Sequence, residues 1–143
     1  MLKVERKGEE SLAMDFPKGE PKVFDSIDER LKRKLAKLLT IESYEEIKQV
    51  VQCNTTKKML IEVSSVETIE KLNPSFPDLL KVEFPKDVEC RGIIVTTNNV
   101  EKHSKYSSHD FMSRYFSFYI GHEDPVTGSA HCVLGNFFDI YRF

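Results

Sequence analysis

Apolar and polar residues alternate at the start of the chain. Leu2 and Val4 precede the polar run Lys7-Gly8-Glu9-Glu10, and Leu12, Met14 and Phe16 alternate again up to Pro17. A period of two on both sides of a glycine-containing turn predicts a β-hairpin. The period then changes. Ile27, Leu31, Leu35, Leu38 and Leu39 recur at helical spacing and Ser26 with Glu29 has the form of a capping box, so a helix is expected over Ser26–Leu39. Ile47–Cys53 and Lys58–Val63 are short, rich in Val and Ile, and joined by the polar Asn54-Thr55-Thr56, which predicts a second hairpin. Val66–Leu72 fits a short helix ending before Asn73-Pro74, and Pro77–Leu80 a further helical turn, since proline is tolerated in a first turn. Gly92–Thr97 holds the apolar run Ile93-Ile94-Val95 of a buried strand, Asn98–Ser108 is polar enough for an exposed loop, and Phe111–Phe118 reads as an aromatic-rich strand. The pattern is α+β, with strands outnumbering helices and no internal repeat.

Composition narrows the picture without choosing a partner. The 143 residues fit one domain, and 40% hydrophobic with 31% charged residues at a net charge of −2 suit an ordinary soluble protein. A disordered tail and a basic nucleic-acid binder are both excluded. Arg30, Lys32, Arg33, Lys34 and Lys37 form a solvated helix face, because Asp28 and Glu29 interrupt the charge and no aromatics are interleaved for base stacking. No stretch approaches the roughly 20 apolar residues of a membrane span, and the first residues lack the apolar core of a secretory signal, so a cytoplasmic location is expected. Cys53, Cys90 and Cys132 are an odd number at wide spacing without CxxC pairs, which argues against a disulfide framework and a zinc site.

Candidate chemistry lies near the end of the chain, in Gly121-His122-Glu123-Asp124-Pro125-Val126-Thr127-Gly128-Ser129-Ala130-His131-Cys132. Pro125 fixes one backbone angle, Gly128 permits positive φ or close approach of a ligand, and Thr127 or Ser129 supplies a hydroxyl near a helix start. The first amides of a helix have no internal partners and carry the positive dipole end, so Gly128, Ser129 and Ala130 are candidates to bind a carboxylate or an enolate-like oxyanion. The following helix has apolar residues on several sides, which predicts that sheet encloses it. A P-loop is excluded because no lysine follows the second glycine. A local hydrolase triad fails because His131, two positions along a helix, points away from Ser129. His122, His131 and Cys132 lack the paired spacing of metal ligands, and no metal is expected. Without more, an ordinary capped turn accounts for the segment as well as an anion site does.

Two strings change that balance. Asp110-Phe111-Met112-Ser113-Arg114-Tyr115-Phe116 and, after a short loop, Glu123-Asp124-Pro125-Val126-Thr127-Gly128-Ser129-Ala130-His131-Cys132 resemble the signature of the PhzF, or phenazine biosynthesis-like, family. Weaker similarity runs through Met14-Asp15-Phe16-Pro17 and Arg91-Gly92-Ile93-Ile94-Val95-Thr96, and it aligns residues 1–143 with the second half of the family, its eukaryotic MAWD-binding-protein-like members in particular. The resemblance implies one half of a diaminopimelate-epimerase-like fold, a mixed sheet wrapped around a central helix that begins near Ser129. The chain opens directly in a strand and stops soon after Gly135, so a missing first half, missing final strands and an incomplete barrel are expected. Matched residue by residue, the motif puts catalytic groups at Asp124 and Ser129 and substrate contacts at Gly128, Ser129, Ala130 and His131, with Arg114 structural and no cofactor.

Activity in the family, as the resemblance implies it, is isomerisation of a small cyclic carboxylic acid by a proton shift. The general-base glutamate and a Gly-His loop come from the first half, and neither has a counterpart here, so the chain alone is expected to be inactive. A small carboxylic acid remains the expected ligand. The alternative is a truncated, non-catalytic paralogue that self-associates or pairs with a full-length relative through an open sheet edge, with neither nucleic acid nor membrane as partner.

Overall fold

The computed structural model describes residues 3–23, 29–84, 88–100 and 105–141. In chain order these form β1 (Lys3–Arg6), β2 (Leu12–Asp15), β3 (Pro21–Val23), α1 (Glu29–Leu39), a 3-10 turn (Tyr44–Glu46), β4 (Ile47–Cys53), β5 (Lys58–Val63), α2 (Val66–Lys71), α3 (Phe76–Leu79), β6 (Gly92–Thr97), β7 (Met112–Ser117), β8 (His122–Glu123) and α4 (Gly128–Tyr141). Every element expected from the pattern is present. The capping box at Ser26 lies outside the described residues, and α1 is described from Glu29. A capping box does form at Ser43 and Glu46, where it starts the 3-10 turn.

β3 to β8 make a six-stranded sheet in sequence order, antiparallel throughout except for the parallel pair β5 and β6. A parallel pair requires a crossover, and α2 and α3 supply it. Both sheet faces are covered, which is why the central strands are apolar almost continuously rather than alternately. On one face Val50, Met59, Ile61, Ile93, Val95 and Phe116 meet Leu35 and Leu39 of α1, Ile69 of α2 and Leu79 of α3. On the other, Val51, Cys53, Leu60, Ile94 and Tyr115 meet Ala130, Val133, Leu134, Phe137 and Phe138 of α4.

The sheet is not closed. α4 lies against one face and keeps an exposed line of Gly128, His131, Gly135 and Asp139, so the expectation of a helix enclosed by sheet is corrected among the described residues. The physical reason is visible in the spacing: these small or polar residues recur at intervals of three and four and form one strip, while Ala130, Val133, Leu134, Phe137 and Phe138 face the sheet. The sheet edges are blunt. β3 has three residues and begins with a proline, and β8 has two, so neither offers a long row of free amides and carbonyls.

Two glycine positions are fixed by packing. A Cβ on Gly19 would stand 2.6 Å from the Cys132 carbonyl oxygen and 3.1 Å from Cys53 Sγ. The bare backbone can therefore cross α4 closely enough for its N–H to donate to that carbonyl at 2.9 Å, while Asn136 Nδ2 donates to the Gly19 carbonyl. Gly92 is as tight, since a methyl there would stand 2.5 Å from the Tyr115 hydroxyl and 2.6 Å from the Phe116 carbonyl.

The β1–β2 hairpin stands apart as its own two-stranded sheet. Val4, Leu12 and Met14 share one face and are 55%, 71% and 57% exposed. Among the described residues no helix is long and apolar enough to cross a membrane. The basic face of α1 is exposed or tied to carbonyls, with Lys32 donating to Ile47 and Lys34 to Glu83, both at 3.0 Å.

Candidate active site

Two short spans position the segment between β7 and α4. β8 pairs Glu123 with Phe116, and the Asp124 N–H donates to the Tyr115 carbonyl at 3.0 Å. The loop to α4 therefore hangs from the end of β7. Arg114 secures it from behind. Its Nε and Nη2 donate to the two Glu123 carboxylate oxygens at 2.8 and 2.6 Å, and its Nη1 donates to the carbonyls of Ile69 at 3.0 Å and Leu72 at 2.7 Å. A planar guanidinium suits this fourfold task, since the carboxylate and the end of α2 approach from different sides. The carboxylate raises Arg114 further above its ordinary value, against a smaller opposing effect of burial. Arg114 is thus structural, as expected, and Glu123 is its partner.

Asp124 folds back on its own loop. Its Oδ1 accepts from the Val126 N–H at 3.1 Å, an Asx turn across Pro125, and its carbonyl accepts from the Thr127 hydroxyl at 3.1 Å. The Thr127 hydroxyl first and the Val126 N–H second hold the Asp124 carboxyl below the ordinary carboxylate range. One hydroxyl hydrogen cannot serve carbonyl and carboxyl at once, and the distance assigns it to the carbonyl; the Val126 bond holds in either case.

Thr127 is the residue just before α4, where a hydroxyl would normally cap the first amides. Here the hydroxyl turns back to Asp124. The Ala130 N–H is taken by the Thr127 carbonyl at 3.1 Å, but the Gly128 and Ser129 amides have no acceptor among the described residues. Of the three amides expected to form the cradle, two are open and Ala130, itself buried, closes the turn. Ser129 is exposed beside them. His131 is also exposed, with Nδ1 3.3 Å from the Thr127 carbonyl, and its ring is tilted against Phe111 on the open strip of α4. Asp124, Gly128, Ser129 and His131 are therefore brought to one exposed end of α4. Phe16 limits the space there, its ring 3.2 Å from where a Gly128 methyl would stand.

Sequence reasoning missed Thr127 as a reversed cap. It also missed Lys58 and Tyr115, which share the α4-facing side of the sheet. The Lys58 amine stands 5.4 Å from the Tyr115 ring centre. The three cysteines are free thiols, Cys53 and Cys132 buried, and burial pushes the Cys90 thiol up. Among the described residues no three His, Cys, Asp or Glu side chains converge as a metal ion would require.

Known proteins share both the sequence pattern and the fold. The family model described as phenazine biosynthesis-like protein, PhzC-PhzF, matches residues 1–142. An uncharacterized isomerase of Pseudomonas aeruginosa is 37% identical over 134 residues, covering 93% of this chain and 42% of that protein. The human phenazine biosynthesis-like domain-containing protein is 30% identical over 138 residues, covering 92% and 44%. Among solved structures, a PhzF-family protein of Enterococcus faecalis superposes with a TM-score of 0.67 at 24% identity, over 97% of this chain and 45% of that one. The chain spans under half the length of these relatives.

Proposed function

Given that the chain belongs to the phenazine biosynthesis-like family, we propose that it forms one wall of an isomerase site for a small cyclic carboxylic acid. The supporting observation is the reversed cap at Thr127, which leaves the Gly128 and Ser129 amides open at the positive end of α4. A helix that caps itself hides those donors. Here two N–H groups are open with the exposed Ser129 beside them, and the ionised Asp124 stands at the same end to orient a polar group of the ligand. Relatives named as isomerases support the reaction class, and their greater length supports a second wall contributed by sequence beyond this chain. On this reading the open sheet with α4 on one face is half of a diaminopimelate-epimerase-like fold.

The test is a titration of the 143-residue chain with benzoate, followed by nuclear magnetic resonance of the Gly128 and Ser129 amides. Saturable shifts at both amides are expected, with benzoate bound about threefold more tightly in Asp124→Ala, because the repelling carboxylate is removed. Flat curves for the wild-type protein would remove the acid-binding reading.

A second reading is favoured by the hairpin, whose apolar face of Val4, Leu12 and Met14 is uncovered. It is a non-catalytic role in which the chain self-associates or pairs with a full-length relative. Multi-angle light scattering should then show a mass above that of one chain, falling towards 16.6 kDa when Leu12 and Met14 are replaced by serine. A monomer at all concentrations, with no complex on mixing with the relative, would exclude it.

A further inference from the structure

The open amides at the start of α4 have a carboxylate, Asp124, beside them, and a second carboxylate arriving there would be repelled. An acid-binding site of this kind needs a compensating positive charge. Other cations of the sheet have carboxylate partners: Arg114 pairs with Glu123, and Lys57 and Arg91 share the single carboxylate of Glu89 at 2.5 and 3.7 Å. Lys58 differs. It has no carboxylate within ion-pair distance among the described residues, yet it is only 7% exposed.

Its place in the fold is fixed from three sides. Lys58 is paired across the β4–β5 ladder with Cys53, so its side chain shares the α4-facing side with Cys53, Leu60 and Tyr115. The Gly19 crossing brings Cys53 Sγ and the Cys132 carbonyl against one point of backbone. Cys132 lies one turn along α4 from Ser129, on the same side of the helix. Tyr115, whose ring the Lys58 amine overlies at 5.4 Å, is also the residue whose carbonyl holds the Asp124 N–H. Burial lowers the Lys58 amine from the ordinary lysine range, with the nearby thiols only partly offsetting it.

We propose that Lys58 is a positioning residue for the acid ligand, a charge on the α4-facing side of the sheet that strengthens carboxylate binding at the Gly128 and Ser129 amides. The inference rests on the acid-binding reading of that turn. It adds a residue from the start of β5, far in sequence from the motif, and it favours anions over neutral ligands of the same shape.

Benzoate and its uncharged counterpart benzamide, titrated into the full chain and into Lys58→Met and Lys58→Arg, separate charge from packing. Lys58→Met should weaken benzoate about tenfold, the effect of one charge acting across several ångströms of partly solvated protein, and leave benzamide within about twofold. Lys58→Arg, which keeps the charge, should restore benzoate to within about threefold of wild type. Raising sodium chloride from about 20 to about 300 mM should weaken benzoate binding to the wild type more than to Lys58→Met. If Lys58→Met does not fold, Lys58→Gln takes its place, and if neither folds the salt dependence of the wild type decides, a flat response overturning the proposal. Equal benzoate affinity in Lys58→Met and wild type sinks the role of Lys58 and leaves the amide site standing. Absence of benzoate binding in the wild type sinks both.

Discussion

Replacing Arg114 with methionine should lower stability by about 3 kcal/mol, with a fall in Tm of roughly 10 °C for a domain of this size. The side chain is 26% exposed and Glu123 33%, so neither charge is fully hydrated, and the arginine holds four acceptors, two on Glu123 of β8 and two carbonyls at the end of α2. Methionine preserves much of the packing but leaves the Glu123 carboxylate without its cation and two carbonyls at the end of α2 without their donor. The double variant Arg114→Met, Glu123→Gln should recover about 1 kcal/mol of the loss, because the stranded charge is removed. Lysine should rescue poorly, since a single ammonium cannot span a carboxylate and two carbonyls in the plane that the guanidinium uses. Urea denaturation of the three variants checks this. A loss below about 0.5 kcal/mol in Arg114→Met would place the interaction among the weak surface pairs and leave the loop before α4 without its anchor.

That anchor illustrates how far the sequence is legible. Arg114 reads from sequence as a strand residue of structural use, and it is one; what cannot be read is which carbonyls it holds, because Ile69 and Leu72 are more than forty positions away. The central strands were legible because Val, Ile and Leu crowd short runs bounded by polar turns, and coverage of both sheet faces by helices keeps those runs apolar. β3 and β8 were not, since two or three residues carry no period. The exposed strip of α4 had a signal that was available: Gly128, His131, Gly135 and Asp139 repeat at helical spacing within a mostly apolar helix. Reading the apolar residues alone suggested enclosure on all sides. For the site, the motif located the helix start and its amides, but the direction of the Thr127 hydroxyl is a choice between two local acceptors that composition does not distinguish. Lys58 was invisible for another reason: a lysine at a strand start is usually solvated, and this one is buried on the α4-facing side of the sheet, beside Cys53 and over the Tyr115 ring.

Gly19 and Gly135 make the final case, because the same substitution should have opposite signs at the two positions. Gly19→Ala puts a methyl 2.6 Å from the Cys132 carbonyl, which belongs to the backbone of α4 and cannot swing aside as a side chain could. Either the strand crossing lifts, losing the Gly19 N–H bond to that carbonyl and the Asn136 bond to Gly19, or α4 moves away from the sheet. Both routes disturb the packing of Cys53 and Cys132, so a loss of about 3 kcal/mol is expected from strain and broken hydrogen bonds together. Because Cys132 is one turn from Ser129, the variant should also perturb the amide signals of Gly128 and Ser129 at temperatures where it remains folded. Gly135→Ala meets nothing within 4 Å on the exposed strip of α4. There the methyl reduces the freedom of the unfolded chain and favours the helix, and stability should rise by about 0.5 to 1 kcal/mol. Thermal unfolding of both variants, recorded alongside wild type, is sufficient. Two losses would mean that the outer strip of α4 is covered by something in the folded protein; two gains would mean that the Gly19 crossing is looser than 2.9 Å allows, and that α4 is not held at the height the amide site requires.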